Sequence, residues 1–413
     1  MATLNSSALR WQPTLSNITR WVLLAVVLEL CLGGGGRLTA WGPLSLRMVL
    51  YALAMSLTLW HYFTGARTPA WINRFMLIYL SVLALGLLVG WLHGAQPKLI
   101  WEDLRPLLYG FMLPFFWFAL PQTSPESLAQ WIRRSALVLA IAFIVMLFLI
   151  HSGAVPFLRF YQLTVQTEEF FFRGEYTFTF KGFVFLALGI FFHVLTGSKW
   201  KYAAVMLLTM ALLLTFTRGF VFSLLLTFVS YWVLSGNYVK AIAVSVLALL
   251  LVLSGGQAIE KISTMLSTNE ISAPVLNRSP SRDIEPKYRL GDRAYSDGQR
   301  FVQVNEVYQA LSWRSILQGH GFGMGTQSKP VHMEISYMEI LHKQGLAGLA
   351  AWGALLIFAF STWRSNAQGA INDVFFFTIL FFYFQSLTNQ YMNNPIGLSM
   401  ILMSLVVLKQ RKS

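Results

Sequence analysis

Residues 133–151 read RRSALVLAIAFIVMLFLIH: a pair of arginines, then an uncharged apolar run that continues to Ile150. A bilayer-crossing helix needs about 17–25 predominantly apolar residues, and basic residues gather at its cytoplasmic end. Outward from this stretch the pattern repeats. Apolar runs near 20–36, 44–63, 73–91 and 104–120 precede it, and runs near 181–197, 200–216, 219–236, 239–254, 340–361, 372–390 and 395–408 follow. The fold class expected is an all-α integral membrane protein of about twelve transmembrane helices, with residues 1–413 forming a single polytopic domain.

Composition points the same way. The chain is 56% hydrophobic and only 12% charged, whereas soluble domains are about 25% charged. Its mean hydropathy is +0.57. The excess of 31 Lys+Arg over 17 Asp+Glu suits anchoring loops of a polytopic protein better than a nucleic-acid surface, so no nucleic-acid partner is expected. The one cysteine, Cys31, rules out an intramolecular disulfide. The first apolar run has no small-residue cleavage site and reads as a retained helix.

Orientation follows from the short loops. With the N-terminus inside, one side collects Arg10, Arg20, Arg67, Arg74, Arg133, Arg134, Lys199, Lys201, Lys240, Arg364, Lys409, Arg411 and Lys412. Short connectors on the other side carry mainly Arg37, Lys98 and Arg218. Both termini are therefore expected in the cytoplasm. Residues 151–180 and a large loop over 255–339 are expected outside.

That loop holds Arg278, Arg282, Arg289, Arg293, Arg300 and Arg314. The guanidinium is a planar fork of donors that fits phosphate, so an anionic ligand is expected there. Ser279–Asp297, rich in Pro, Ser, Asp and Arg, is expected to be mobile. After it, Phe301, Val304, Val307, Leu311 and Ile316 recur at helical spacing beside Trp313, which predicts an amphipathic helix at the membrane surface, opened by Arg300. Gly319-His320-Gly321-Phe322-Gly323-Met324-Gly325 lacks the preceding strand and the Lys-Ser/Thr of a nucleotide loop. It is expected to be a flexible turn.

Four basic positions fall at outer ends of spans: Arg173, Lys181, Arg218 and Arg300. Each either meets lipid headgroups or faces a bound anion. For Arg218 a tight hairpin between helices leaves little access to lipid. His332, Glu334, Glu339 and His342 precede Gly345. If Glu334 to Gly345 is helical, Glu334 shares a face with Met338 and with Leu341 or His342. Glu334 or His332 there could be a general base, or a carboxylate favouring a helix start. Without a cysteine or second histidine at ligand spacing, no metal site is expected. Glu29 and Arg47 are intramembrane charges, costly unless paired. They are expected to form a structural pair facing the bundle interior, the other reading being a proton or ion relay in a transporter.

These motifs together resemble the O-antigen ligase and O-antigen polymerase superfamily of bacterial membrane glycosyltransferases. The Thr217-Arg218-Gly219 element is similar to that family's arginine after a short outer hairpin. Arg300 with the amphipathic stretch and Gly319–Gly323 resembles the end of its large periplasmic loop, and Glu334 to Gly348 its following helix. Ligases of the family usually present a histidine about eleven residues before the glycine matching Gly345. Here that position is Glu334, with His332 two residues earlier, which leans toward a polymerase and leaves the base open between Glu334 and His332.

The resemblance implies an inverting transferase, independent of metal or other cofactor, in the bacterial inner membrane with its site facing the periplasm. The donor would be an undecaprenyl-pyrophosphate-linked glycan held by Arg173, Arg218, Arg300 and Lys181. The acceptor would be another lipid-linked repeat, or lipid A-core in a ligase. A chain-length regulator protein is a further implied partner. The rival class is a transporter or flippase for lipid-linked glycans, which predicts internal repeats and helices interrupted near the midplane. No repeat is evident in the sequence.

Overall fold

The computed structural model describes residues 6–41, 44–173, 177–197, 199–246, 293–366 and 369–410. Most of the arginine-rich loop, with Arg278, Arg282, Arg289 and most of Ser279–Asp297, lies outside the described residues.

Helices stand at eleven of the apolar runs, and the run near 239–254 is described as helix to residue 246. Five are long and apolar enough to cross a membrane: Leu15–Leu32, Ala70–Leu92, Pro97–Gln122, Pro125–His151 and Ser336–Ser365. Shorter apolar helices include Lys201–Leu214, Arg218–Leu234, Ala370–Gln385 and Pro395–Gln410. The chain is a multi-pass membrane protein by this architecture.

A helix that is apolar all round belongs in an interior, and three such helices form the centre. Pro395–Gln410 is buried at every position from Ile396 to Leu408, Ala370–Gln385 packs beside it, and Val184–Thr196 packs against Ala370–Gln385 in the same core. Pro395–Gln410 has 16 residues; at about 1.5 Å per residue it falls short of a roughly 30 Å hydrocarbon layer. Enclosed by protein, its ends need not reach headgroups. The outer helices show the opposite side of the same rule. Ala70–Leu92 exposes Leu77, Ile78, Leu88, Trp91 and Leu92, and Pro125–His151 exposes Val138, Ile141, Val145 and Phe148. An apolar belt of that extent calls for lipid rather than water.

The fold is not purely helical. Phe170–Arg173 pairs antiparallel with Thr177–Phe180, in the register Phe170↔Phe180 and Phe172↔Phe178. Both strands lie in the 151–180 segment expected as an outer loop, where aromatic and β-branched residues pack well on a pleated surface. Arg173 and Lys181 are therefore separated by a hairpin rather than by turns of helix. A second, two-residue ladder joins Ala40–Trp41 to Leu44–Ser45.

Hydroxyls dock the longer hairpin on the turn between Lys201–Leu214 and Arg218–Leu234. Thr177 Oγ1 donates to the Leu214 carbonyl at 2.8 Å, Thr179 Oγ1 donates to the Thr215 carbonyl at 3.2 Å, and Thr179 Oγ1 lies 2.9 Å from Thr217 Oγ1. Phe216, within that turn, takes a left-handed φ of 50°.

Chain order and these contacts sort the helix ends into two sets. The hairpin, the glycine run Gly33–Gly36, the loop after Ala70–Leu92 and the start of Ser336–Ser365 lie at one end of the bundle. At the other, Arg133 Nη1 donates to Thr196 Oγ1 at 2.9 Å, and Arg67, Arg74, Lys201, Arg364 and Lys409 fall on helix ends and loops, with Arg20 inside Ser6–Leu32.

Candidate functional site

The site begins with a break. Ser336–Ser365 changes direction at Gly345, whose φ of 63° and ψ of −159° leave the helical region. Breaking a helix releases carbonyls that need donors. His342 and Lys343 offer theirs to the amides of His320 and Gly321, at 2.7 and 3.0 Å. The next amides continue inward: Phe322 N donates to the Gly86 carbonyl at 2.9 Å, and Gly323 N donates to Asp103 Oδ2 at 2.7 Å.

Gly319, Gly321 and Gly323 all take positive φ, which glycine tolerates without steric cost. A Cβ on Gly321 would come within 2.0 Å of the Gly90 amide nitrogen. Phe322 is 1% exposed. The segment expected to be a flexible turn is a packed plug between two helices, because its glycines let backbones approach closely.

Beneath the plug lies a cluster of charges. Lys343 Nζ is 2.7 Å from Asp103 Oδ1 and 2.7 Å from Glu339 Oε1, and it also donates to the Val331 carbonyl. Gln390 Nε2 donates to Glu339 Oε2 at 3.1 Å and to the Met333 carbonyl. Asp103, Glu339 and Lys343 side chains are only 2–4% exposed, whereas that of His332 is 44% exposed. His332 Nδ1 stands 3.6 Å from Glu339 Oε1 and 3.8 Å from Asp103 Oδ1. Asp103, His332, Glu339 and Lys343 all line one small cavity.

Ligand atoms of Asp103, His332 and Glu339 lie within 4.8 Å of one another, a spacing that a metal ion could use. The Lys343 ammonium already touches both carboxylates, at 2.7 Å each. A cation would have to displace it, so these residues fit a lysine better than a metal.

Glu334 sits apart from this cluster. The helix starts at Ser336, with Ile335 as its cap, so Glu334 lies in the preceding turn and not on the helix face expected for it. Extended backbone at Ile335 ends the helical pattern there. Glu334 Oε2 accepts from Arg300 Nε at 3.0 Å, and Lys329 Nζ is 4.0 Å from its other oxygen. The Glu334 amide donates to Gln303 Oε1 at 2.9 Å.

Arg300 does not open its helix, which runs from Arg293 to Ala310. The expected single amphipathic helix is two, because Ser312 caps a new one, Trp313–Gln318, with its hydroxyl on the Ser315 amide. Val307 is buried, but Phe301 is 78% exposed. On the same helix Glu306 accepts from the amide and hydroxyl of Ser328. The Ser328 hydroxyl is the largest influence holding its carboxyl below the usual range.

The remaining expected residues divide. Lys181 follows the hairpin, its Nζ 5.9 Å from the centroid of the Phe171 ring. Arg173 ends the first strand of the hairpin, opposite Thr177. Arg218 opens its helix and is exposed, contrary to the expectation that its hairpin would enclose it. The loop at 386–394 links these parts. A Cβ on Gly219 would meet Thr388 and Asn389, Ser336 Oγ donates to the Asn389 carbonyl at 3.2 Å, and Tyr391 Oη donates to the Lys181 carbonyl at 3.3 Å. Lys181, Arg218, Arg300, His332 and Glu334 thus belong to one end of the bundle.

Asp103, Lys343 and Gln390 were not singled out from sequence. A lysine in an apolar run is itself a signal, since an intramembrane charge must find a partner. Glu339 and Lys343 also stand at i and i+4. Nothing in the sequence marks Asp103, 240 positions away from Lys343.

Glu29 and Arg47 form the structural pair expected, Arg47 Nε to Glu29 Oε2 at 2.7 Å, with side chains 5% and 3% exposed.

The fold and this polar end define a multi-pass helical membrane protein with a buried charge cluster opening through one histidine. No protein-family model matches the chain. It is 25% identical over 399 residues, 94% of each chain, to an O-antigen polymerase from Shigella flexneri. Similarity along nearly the whole of both chains supports the O-antigen polymerase and ligase superfamily that the motifs resemble.

Proposed function

We propose that this protein is a polysaccharide polymerase of the bacterial inner membrane, joining undecaprenyl-pyrophosphate-linked repeat units at its periplasmic end. The observation that carries the reading is the full-length similarity to an O-antigen polymerase. Gathering of expected anion-binding residues at one end of the bundle agrees with it. About twelve helices would cross the membrane, and residues 255–339 would form the large outer loop.

The reaction is an inverting transfer. The acceptor sugar's hydroxyl oxygen attacks the anomeric carbon of the donor glycan from the face opposite the leaving group. The bond from that carbon to the pyrophosphate oxygen breaks, and undecaprenyl pyrophosphate leaves with the electron pair. Arg218, Arg300, Arg173 and Lys181 hold the growing negative charge, a task for which fixed guanidiniums suffice. His332 takes the hydroxyl proton. Its Nδ1 edge faces Glu339, which leaves Nε2 on the far edge of the ring for substrate. Glu334, already paired with Arg300, orients that guanidinium.

The test is purified protein in liposomes supplied with a lipid-linked repeat unit alone. A ladder of longer lipid-linked products is expected. Product formed only when lipid A-core is added would make it a ligase, and glycan crossing the bilayer without bond formation would make it a transporter.

A further inference from the structure

We infer that Asp103, Glu339 and Lys343 form a positioning cluster one positive charge short, which His332 completes each time it accepts a proton. The inference rests on the polymerase reading for its use, but its geometry stands alone. Two carboxylates and one ammonium are packed with almost no exposure. A buried charge left uncompensated is costly, and the partly exposed His332 imidazole stands 3.6 and 3.8 Å from the two carboxylates.

The carboxylates cannot turn away. Asp103 Oδ2 is held by the Gly323 amide and Glu339 Oε2 by Gln390, at 2.7 and 3.1 Å. Lys343 is itself no base for substrate, being 2% exposed with three oxygens around its nitrogen.

Among the described residues, the charged groups around the imidazole come from several elements. Pro97–Leu107 contributes Asp103, and Ser336–Ser365 contributes Glu339 and Lys343. Arg300 and Lys329, on neighbouring segments, pair with Glu334, and Gln390 is neutral. The charges nearest His332 are therefore those of the triad. The packed glycine plug supports the arrangement, since it carries the amide that fixes Asp103.

Opposite changes in the triad should move His332 in opposite directions. Glu339→Gln makes the triad neutral and disfavours the imidazolium. Lys343→Met deepens the deficit and favours it. The probe is diethylpyrocarbonate, which modifies neutral imidazole, read at the His332 peptide by mass spectrometry across pH on the full chain in nanodiscs. The midpoint should fall by roughly one unit or more in Glu339→Gln and rise by a similar amount in Lys343→Met. The double variant should return close to the parent.

If Lys343→Met does not fold, Asp103→Asn replaces it and must shift the midpoint down, as Glu339→Gln does. A general base works deprotonated, so the acid limb of ladder formation should move with each midpoint. Unmoved midpoints, or Glu339→Gln and Lys343→Met shifting alike, overturn the inference. Midpoints that shift as stated in a protein making no ladder would leave the cluster standing and remove the polymerase reading. A ladder with unmoved midpoints would do the reverse.

Discussion

Two of the buried charge clusters among the described residues are built differently. Glu29 and Arg47 are one anion and one cation, both sealed, with a second guanidinium nitrogen donating to the Gly34 carbonyl at 2.5 Å. The cluster around Lys343 has two anions for one cation and opens to the surface through His332. A balanced, closed pair holds helices together. An unbalanced, open one can exchange a proton.

The sharpest way to break that contrast is to remove the exchanging group. His332→Ala should lower ladder formation about 10²–10⁴-fold, the usual contribution of a general base, while the protein stays folded by size-exclusion chromatography. Arg47→Met should do the opposite. It leaves Glu29 buried and unpaired, at a cost of about 3–5 kcal/mol, so folded yield and thermal midpoint should drop, and Glu29→Gln added to it should recover much of the loss. If Arg47→Met stayed fully stable but inactive, the two sites would not differ in kind.

Smaller effects sharpen the outer end. Arg218→Lys and Arg300→Lys keep the charge but lose the planar fork that binds two phosphate oxygens. Each should fail to restore the rate lost in the alanine variant, by about tenfold. Normal turnover in Arg218→Lys and Arg218→Ala alike would make that residue a headgroup anchor. Arg173→Lys should behave as Arg218→Lys does. Glu334→Gln should give the least loss, since its amide oxygen still accepts from Arg300 at the 3.0 Å contact.

The helical bundle was legible because apolar runs of bilayer length depend only on local sequence. Ends and interruptions were less so. The break at Gly345 and the plug at Gly319–Gly323 come from backbone approach between distant segments, and a glycine-rich stretch reads as flexible unless its partners are known. The Thr177–Phe180 strand was hidden inside a segment read as an outer loop, because four residues are too few for a clear alternation and the partner strand is set by pairing rather than by pattern. For the site, His332 and Glu334 were both visible as candidates by residue type and place. What separates them, Arg300 on one and Glu339 with Asp103 beside the other, is long-range packing that spacing cannot express.

The central claim is that the proton is taken at the unbalanced cluster and not at Glu334. The direct measurement is the initial rate of ladder formation by purified His332→Ala and Glu334→Gln, each checked for folded yield, in liposomes with one lipid-linked repeat. A loss of about 10²-fold or more is expected in His332→Ala, and a far smaller one in Glu334→Gln. Full turnover by His332→Ala with a dead Glu334→Gln would contradict it.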